Sequence, residues 1–159
     1  MKKICLALVA ALTLTLTTAH AASFQKGVNA ARAGDYATAL IVFGEWAESG
    51  NAVAQYNLGL MHYRGEGVAQ DYAEAARWYA LAAVQGDAKA QNNLGLLYSN
   101  GYGVVQNYEE AAKWLTLAAE QGRASAQYNL GNLYRKGEGV AQDNIEAAKW
   151  LTLAAKQGN

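Results

Sequence analysis

The chain has no proline in 159 residues and a single cysteine, Cys5, and these shortages already narrow its class. Without proline nothing breaks a helix by ring clash or by a missing N–H, so turns must be made by glycine and short polar residues. One cysteine cannot form an intramolecular disulfide, and it cannot supply a cysteine-based zinc site. Histidine is nearly absent too, with only His20 and His62. An excess of either charge is missing as well: 13 Lys and Arg stand against 13 Asp and Glu. A chain so balanced has no basic excess to neutralise phosphates, and no nucleic acid is expected as a partner.

Long apolar runs are scarce. The longest, Ile4 to Leu16, is interrupted only by threonines and covers 13 residues, short of the roughly 20 that span a bilayer. It follows the basic start Met1-Lys2-Lys3 and precedes Ala19-His20-Ala21, the pattern of a secretory signal peptide over residues 1–21, cut after Ala21. The expected consequence is a periplasmic or secreted protein that meets the membrane only during export. Cys5 lies at the start of the apolar run and not at its end, which excludes a lipid-bearing cysteine at the cleavage point. Removing 21 of the 159 residues leaves a mature chain of 138 with no cysteine, one histidine and a net charge of −2, since Lys2 and Lys3 leave with the leader.

What the chain has in abundance is self-similarity. The stretch Ala88 to Gly122 recurs 36 residues earlier and 36 residues later. Gln55, Gln91 and Gln127 fall in phase, as do Leu58-Gly59, Leu94-Gly95 and Leu130-Gly131, then Trp78, Trp114 and Trp150. The pairs Gly65/Gly67, Gly101/Gly103 and Gly137/Gly139 repeat likewise, followed by Gly86, Gly122 and Gly158. A period in the mid-thirties with no strand signal predicts an all-α fold, an α/α superhelical solenoid of helix-turn-helix repeats. The units are a lead-in helix pair over 22–50 and repeats over 51–86, 87–122 and 123–159.

Within the units, helices are expected at Phe24 to Ala33 and Ala37 to Ser49, then at Asn51 to Tyr63 and Tyr72 to Gln85. The pattern continues with Ala88 to Ser99, Tyr108 to Gln121, Ala124 to Arg135 and Asn144 to Gln157. Asp71-x-x-Glu74, Asn107-x-x-Glu110 and Asp143-x-x-Glu146 resemble capping boxes, in which the first side chain accepts an exposed helix N–H and the Glu reaches back. Glycines supply the stops. The second helix of each pair carries an apolar stripe, as in Ala111, Trp114, Leu115 and Ala118. Mid-helix Gly59, Gly95 and Gly131 predict a close approach between paired helices, with the alanines of the second helices opposite.

The order Gln91, Leu94-Gly95, Leu97-Tyr98, Gly101, Gly103-Val104, then Asn107, Glu110-Ala111 and Trp114 resembles the Sel1-like repeat. The likeness covers Asn51 to Gly158 in three units, and Phe24 to Gly50 resembles a tetratricopeptide-like lead-in. It implies an adaptor without catalysis that binds another protein along the concave wall made by the first helices. His62 departs from the pattern, standing where Tyr98 and Tyr134 supply an aromatic. A cysteine-rich branch of the family is tied to β-lactam binding, which leaves a β-lactam-binding or cell-wall-linked hydrolase as the rival from another class, beside a purely structural oligomer as the rival within it; this chain lacks that branch's disulfides.

Local motifs add no chemistry of their own. Gly65-Glu66-Gly67 and its copies follow no strand and have no third glycine in register, so they read as turns and not as phosphate loops. Ser23, Ser49, Ser99 and Ser125 have neither a Ser-x-x-Lys nor a Gly-x-Ser-x-Gly context. Neither catalytic residue nor metal ligand nor cofactor site is predicted.

The candidate site is instead the inner wall of the first helices, and it is proposed for a protein or peptide partner. Its residues are Tyr56, Leu60, Tyr63 and Arg64 from the first repeat, Lys89, Asn92, Leu96 and Asn100 from the second, and Tyr128, Asn132, Arg135 and Lys136 from the third. Tyrosine and leucine offer apolar anchors, asparagine pairs with backbone amides, and four cations with no acid among them suit a carboxylate. The competing view is an ordinary solvated face. A second surface follows from the identical strings Ala111–Ala119 and Ala147–Ala155, the first expected to be covered by a following repeat and the second exposed, which points to a homo-oligomer or a partner at the C-terminal repeat.

Overall fold

Every helix starts and stops on a local signal that recurs with the repeat. The computed structural model describes residues 23–158, and the leader expected over 1–21 lies outside them. Among the described residues there are eight helices and no strand. They are α1 over residues 23–32, α2 (Tyr36–Glu48), α3 (Ala52–Arg64), α4 (Tyr72–Val84), α5 (Ala88–Asn100), α6 (Tyr108–Glu120), α7 (Ala124–Lys136) and α8 (Asn144–Ala155). Each helix packs against the next in the chain, so the array grows by addition of hairpins, as in a solenoid.

Half of each expected capping box is present. Asp71, Asn107 and Asp143 accept from two N–H groups apiece in the first turns of α4, α6 and α8. The glutamates do not reach back. The N–H groups of Asp71, Asn107 and Asp143 already donate to the carbonyls of His62, Tyr98 and Tyr134 at 2.9 to 3.0 Å, which closes the turn onto the preceding helix. Glu74, Glu110 and Glu146 pair instead with Arg77, Lys113 and Lys149 one turn on.

Paired helices approach as the mid-helix glycines predict, but what faces them differs. A Cβ on Gly95 would lie 2.7 Å from Leu115 Cγ and 3.2 Å from the Ala111 carbonyl oxygen. The nearest opposing atoms belong to a large side chain, Leu115, and to the backbone of the alanine Ala111. Each apolar core is shared between units. One cluster combines Ala75, Tyr79 and Ala82 of α4 with Ala90, Leu94 and Leu97 of α5, and Trp114 of α6 packs on its edge. Another repeats this arrangement one unit later, with Trp150 in the same role. Trp46, outside the period, packs edge-on to Phe24 at 5.2 Å in the lead-in core.

One polar device joins units along the array, and another closes the turn inside each repeat. Gln91, only 4% exposed, donates to the Ala83 carbonyl at the end of α4 and accepts from Gln121 at the end of α6. Gln55 and Gln127 make the same pair of bonds with Ala47 and Gln85, and with Ala119 and Gln157. A second glutamine, at positions 70, 106 and 142, donates to a carbonyl near the end of each first helix.

The two glycines of each Gly-x-Gly turn have different tasks. Gly101 ends α5 in the left-handed conformation at φ 70°, as the sequence predicts. Gly103, also left-handed at φ 68°, lies so close to α4 of the preceding repeat that a Cβ there would be 2.2 Å from the Tyr72 carbonyl carbon. This contact brings the turn of one repeat onto the start of the second helix of the repeat before it.

Gly103→Ala therefore adds a backbone clash to the left-handed penalty and is expected to cost about 3 kcal/mol or more. Gly86→Ala, at φ 92° with open space around the new carbon, should cost only about 1 to 2 kcal/mol. Urea unfolding of both variants checks the difference, and equal losses would show that the repeat contact contributes nothing. Arg123 occupies the cap position of α7, where Asn51 and Asp87 cap α3 and α5, and makes no side-chain cap bond. Arg123→Asp should stabilise the protein by about 1 kcal/mol, read as a rise in Tm of about 4 °C in a thermal melt.

Candidate functional site

A groove runs over the first helices α3, α5 and α7 because the three present aligned positions toward it. At the junction of the first and second repeats it deepens into a cavity of about 240 Å³ lined by Tyr56, Leu60, Tyr63 and Arg64 on one side. Asn93, Leu96, Leu97, Asn100 and Tyr102 form the other side. At the next junction a wider cavity of about 370 Å³ is lined by Leu96, Ser99 and Asn100 on one side and Tyr128, Asn132, Arg135 and Lys136 on the other. Leu96 and Asn100 belong to both cavities, so the two are compartments of one groove.

The first compartment is aromatic. Tyr102, 45% exposed, stacks on Tyr72 with ring centroids 5.2 Å apart, and Tyr72 in turn meets Tyr63 at 5.2 Å. Tyr56 packs at 5.9 Å on Tyr79, which is wholly buried. Burial pushes the Tyr79 phenol well above the ordinary tyrosine range, so it stays neutral. Asn93 lies near enough to favour the ionised form slightly, yet no group meets hydrogen-bond geometry with the hydroxyl.

The second compartment is polar. Arg135 donates to Asn132 at 3.1 Å, and among the described residues no carboxylate lies within ion-pair distance of it. Lys89 stands at the rim of the first compartment, its ammonium 5.7 Å from the centre of the Tyr56 ring. The wall is not free of acids as the sequence pattern suggests. Glu66 and Glu138, carried by the turns, lie 3.5 Å from Arg64 and 3.4 Å from Lys136. Both pairs are solvent-accessible and therefore weak.

Of the twelve wall residues named from the sequence, ten line the two compartments and Lys89 flanks them. Asn92 is different. It is 3% exposed, donates to Asn93 and accepts from Ser125 and Asn129 of α7, so it ties first helices together and is closed to a ligand. Sequence reasoning missed Asn93 and Tyr102. The signal for Tyr102 was available, since it is the middle residue of Gly101-Tyr102-Gly103 where both copies carry glutamate.

Elsewhere, His62 is half-buried, its Nδ1 lacks a partner, and its backbone serves the same turn bond as Tyr98 and Tyr134. Among the described residues no cluster of three His, Cys, Asp or Glu side chains could hold a metal ion. No described helix is long and apolar enough to cross a membrane. The stripe of α8 is more open than its copy on α6: Ala112, Leu115 and Ala119 are buried, whereas Leu151 is half-buried and Ala148 and Ala155 are exposed.

The profile of the Sel1 repeat family matches residues 52–87, 88–122 and 124–159. Among solved structures, the chain is similar to c5321, a protective antigen of uropathogenic Escherichia coli strains with an SLR fold, at 42% identity and a TM-score of 0.84. The likeness covers 88% of this chain and 31% of that one. It is also similar to a Sel1 repeat protein from Oxalobacter formigenes, at 35% identity and a TM-score of 0.78, over 86% of this chain and 56% of the other. The chain thus spans about a third of the length of the first and just over half of the second. No curated protein matches it. With three consecutive units matched and the helix-turn-helix array shared with both structures, the chain belongs to the Sel1 repeat family.

Proposed function

We propose that this protein is an exported adaptor that binds another protein or a peptide along the groove of α3, α5 and α7. Sel1 repeats form scaffolds that commonly carry protein–protein interactions. The observation that carries the reading is the adjacency of the two compartments: they share Leu96 and Asn100 and together offer exposed aromatics, amides and Arg135, a cation with no carboxylate partner among the described residues. An extended polypeptide matches such a surface, since its backbone needs amide partners and its side chains need alternating pockets. Export rests on the pattern of residues 1–21, and it places the partner in the periplasm or outside the cell. A hydrolase has less in its favour. The Ser49 and Ser125 hydroxyls donate to the Trp46 carbonyl and to Asn92, and neither meets a histidine.

Crosslinking in the cell envelope should capture a defined set of proteins with the wild type, and a variant carrying both Tyr128→Ala and Arg135→Glu should lose at least one of them. An unchanged set would remove the groove from the account.

The open stripe of α8 favours a second reading, in which a copy of the chain packs on Leu151 and its neighbours. Light scattering of the purified protein at rising concentration should then show a dimer that Leu151→Lys returns to monomer. A monomer at all concentrations would dismiss it.

A further inference from the structure

The two compartments differ because aligned positions 36 residues apart carry different chemistry. Tyr56 becomes Asn92 and then Tyr128, Tyr63 becomes Ser99 and then Arg135, and Glu66 becomes Tyr102 and then Glu138. The first junction thereby collects Tyr56, Tyr63 and Tyr102 around one cavity. The second collects Arg135 and the amides Asn129 and Asn132. The geometry points to a specific ligand grammar: the groove takes a peptide segment with one large aromatic residue in the first compartment and one carboxylate in the second, held by Arg135. This inference rests on the peptide-binding reading above and deepens it.

Three observations set the terms. The aromatic cavity of about 240 Å³ lies below the roughly 300 to 1,000 Å³ of small-molecule sites, so it fits a single side chain better than a whole cofactor. Only two of the chain's 13 acids, Glu66 and Glu138, stand on the wall, and each already faces its own cation. Arg135 is therefore left with a neutral partner, Asn132, and with guanidinium N–H groups for a planar bidentate acceptor. Packed helices lie about 8 to 10 Å apart. An extended chain advances about 3.3 Å per residue. The aromatic residue and the acid should therefore be separated by two to four positions.

The repeats themselves provide a clean variant. Tyr102→Glu installs the residue that both copies of this turn carry, so the backbone accommodates it while the aromatic wall is lost. Arg135→Gln removes the charge at an exposed position and keeps an amide.

The test is selection of phage-displayed random peptides on the purified protein, followed by fluorescence anisotropy with labelled synthetic copies. Selected peptides should share an aromatic residue with Asp, Glu or a terminal carboxylate two to four positions away. Replacing either element should weaken binding by about tenfold. Against Tyr102→Glu, the penalty for replacing the aromatic should shrink below about twofold while the penalty for the acid persists, and Arg135→Gln should do the reverse. Peptides without an acid, peptides rich in lysine, no selected peptide at all, or equal loss of both preferences in each variant would overturn the proposal. Should envelope capture still depend on Tyr128 and Arg135 in that event, this specificity falls and the adaptor reading stands. Capture that ignores the groove removes both.

Discussion

One buried amide per repeat sets the register of the whole array. The core it serves is built largely from alanine, as in Ala75, Ala76, Ala82, Ala83 and Ala90. Small side chains leave shallow relief, so apolar packing alone would let one hairpin slide on the next at little cost. Gln91 prevents this by directed bonds, since its single side chain fixes the end of α4, the end of α6 and its own helix α5 at once. A hydrogen bond of this kind contributes only about 0.5 to 1.5 kcal/mol net. Its effect on register is larger, because a slipped arrangement would leave the buried amide unmet.

The same economy separates scaffold from surface. Positions that build the array recur without change: the glutamines, the mid-helix glycines, the Gly-x-Gly turns and the tryptophans that bridge one core to the next. Several positions that face the groove change from repeat to repeat, as Tyr63, Ser99 and Arg135 do while Asn93 and Asn129 stay the same, and the differences make an aromatic compartment beside a polar one. A repeat protein can thus change what it recognises without touching what holds it up. Gly103 and Gly139 belong to the first set even though they sit in turns, because the backbone of the preceding repeat occupies the space a side chain would need.

Much of this was legible beforehand, and the misses have physical causes. The helices follow from an exact 36-residue period combined with cap residues, which act within one turn and need no distant partner. The second half of the capping box failed because the N–H of Asp71 is claimed by His62, a contact across a loop that local pattern does not reveal. Tyr102 is not legible as a wall residue from its own turn, because the Gly-x-Gly pattern around it signals only a helix stop. Asn92 sits at a wall position by phase, but Ser125 and Asn129 of the next repeat close over it. Acids on the wall went unforeseen for a similar reason: Glu66 and Glu138 come from turns that fold back onto the helix ends.

By itself the sequence determined the number and kind of elements, their order, the shared stripes and the family, because all of these depend on contacts within a repeat or on its exact recurrence. Only the tertiary structure decided which wall residues meet, which are buried and which cations keep no carboxylate. Those outcomes depend on side chains from neighbouring repeats entering the same few ångströms of space, and a period along the chain says that repeats stack without saying how deeply one reaches into the next.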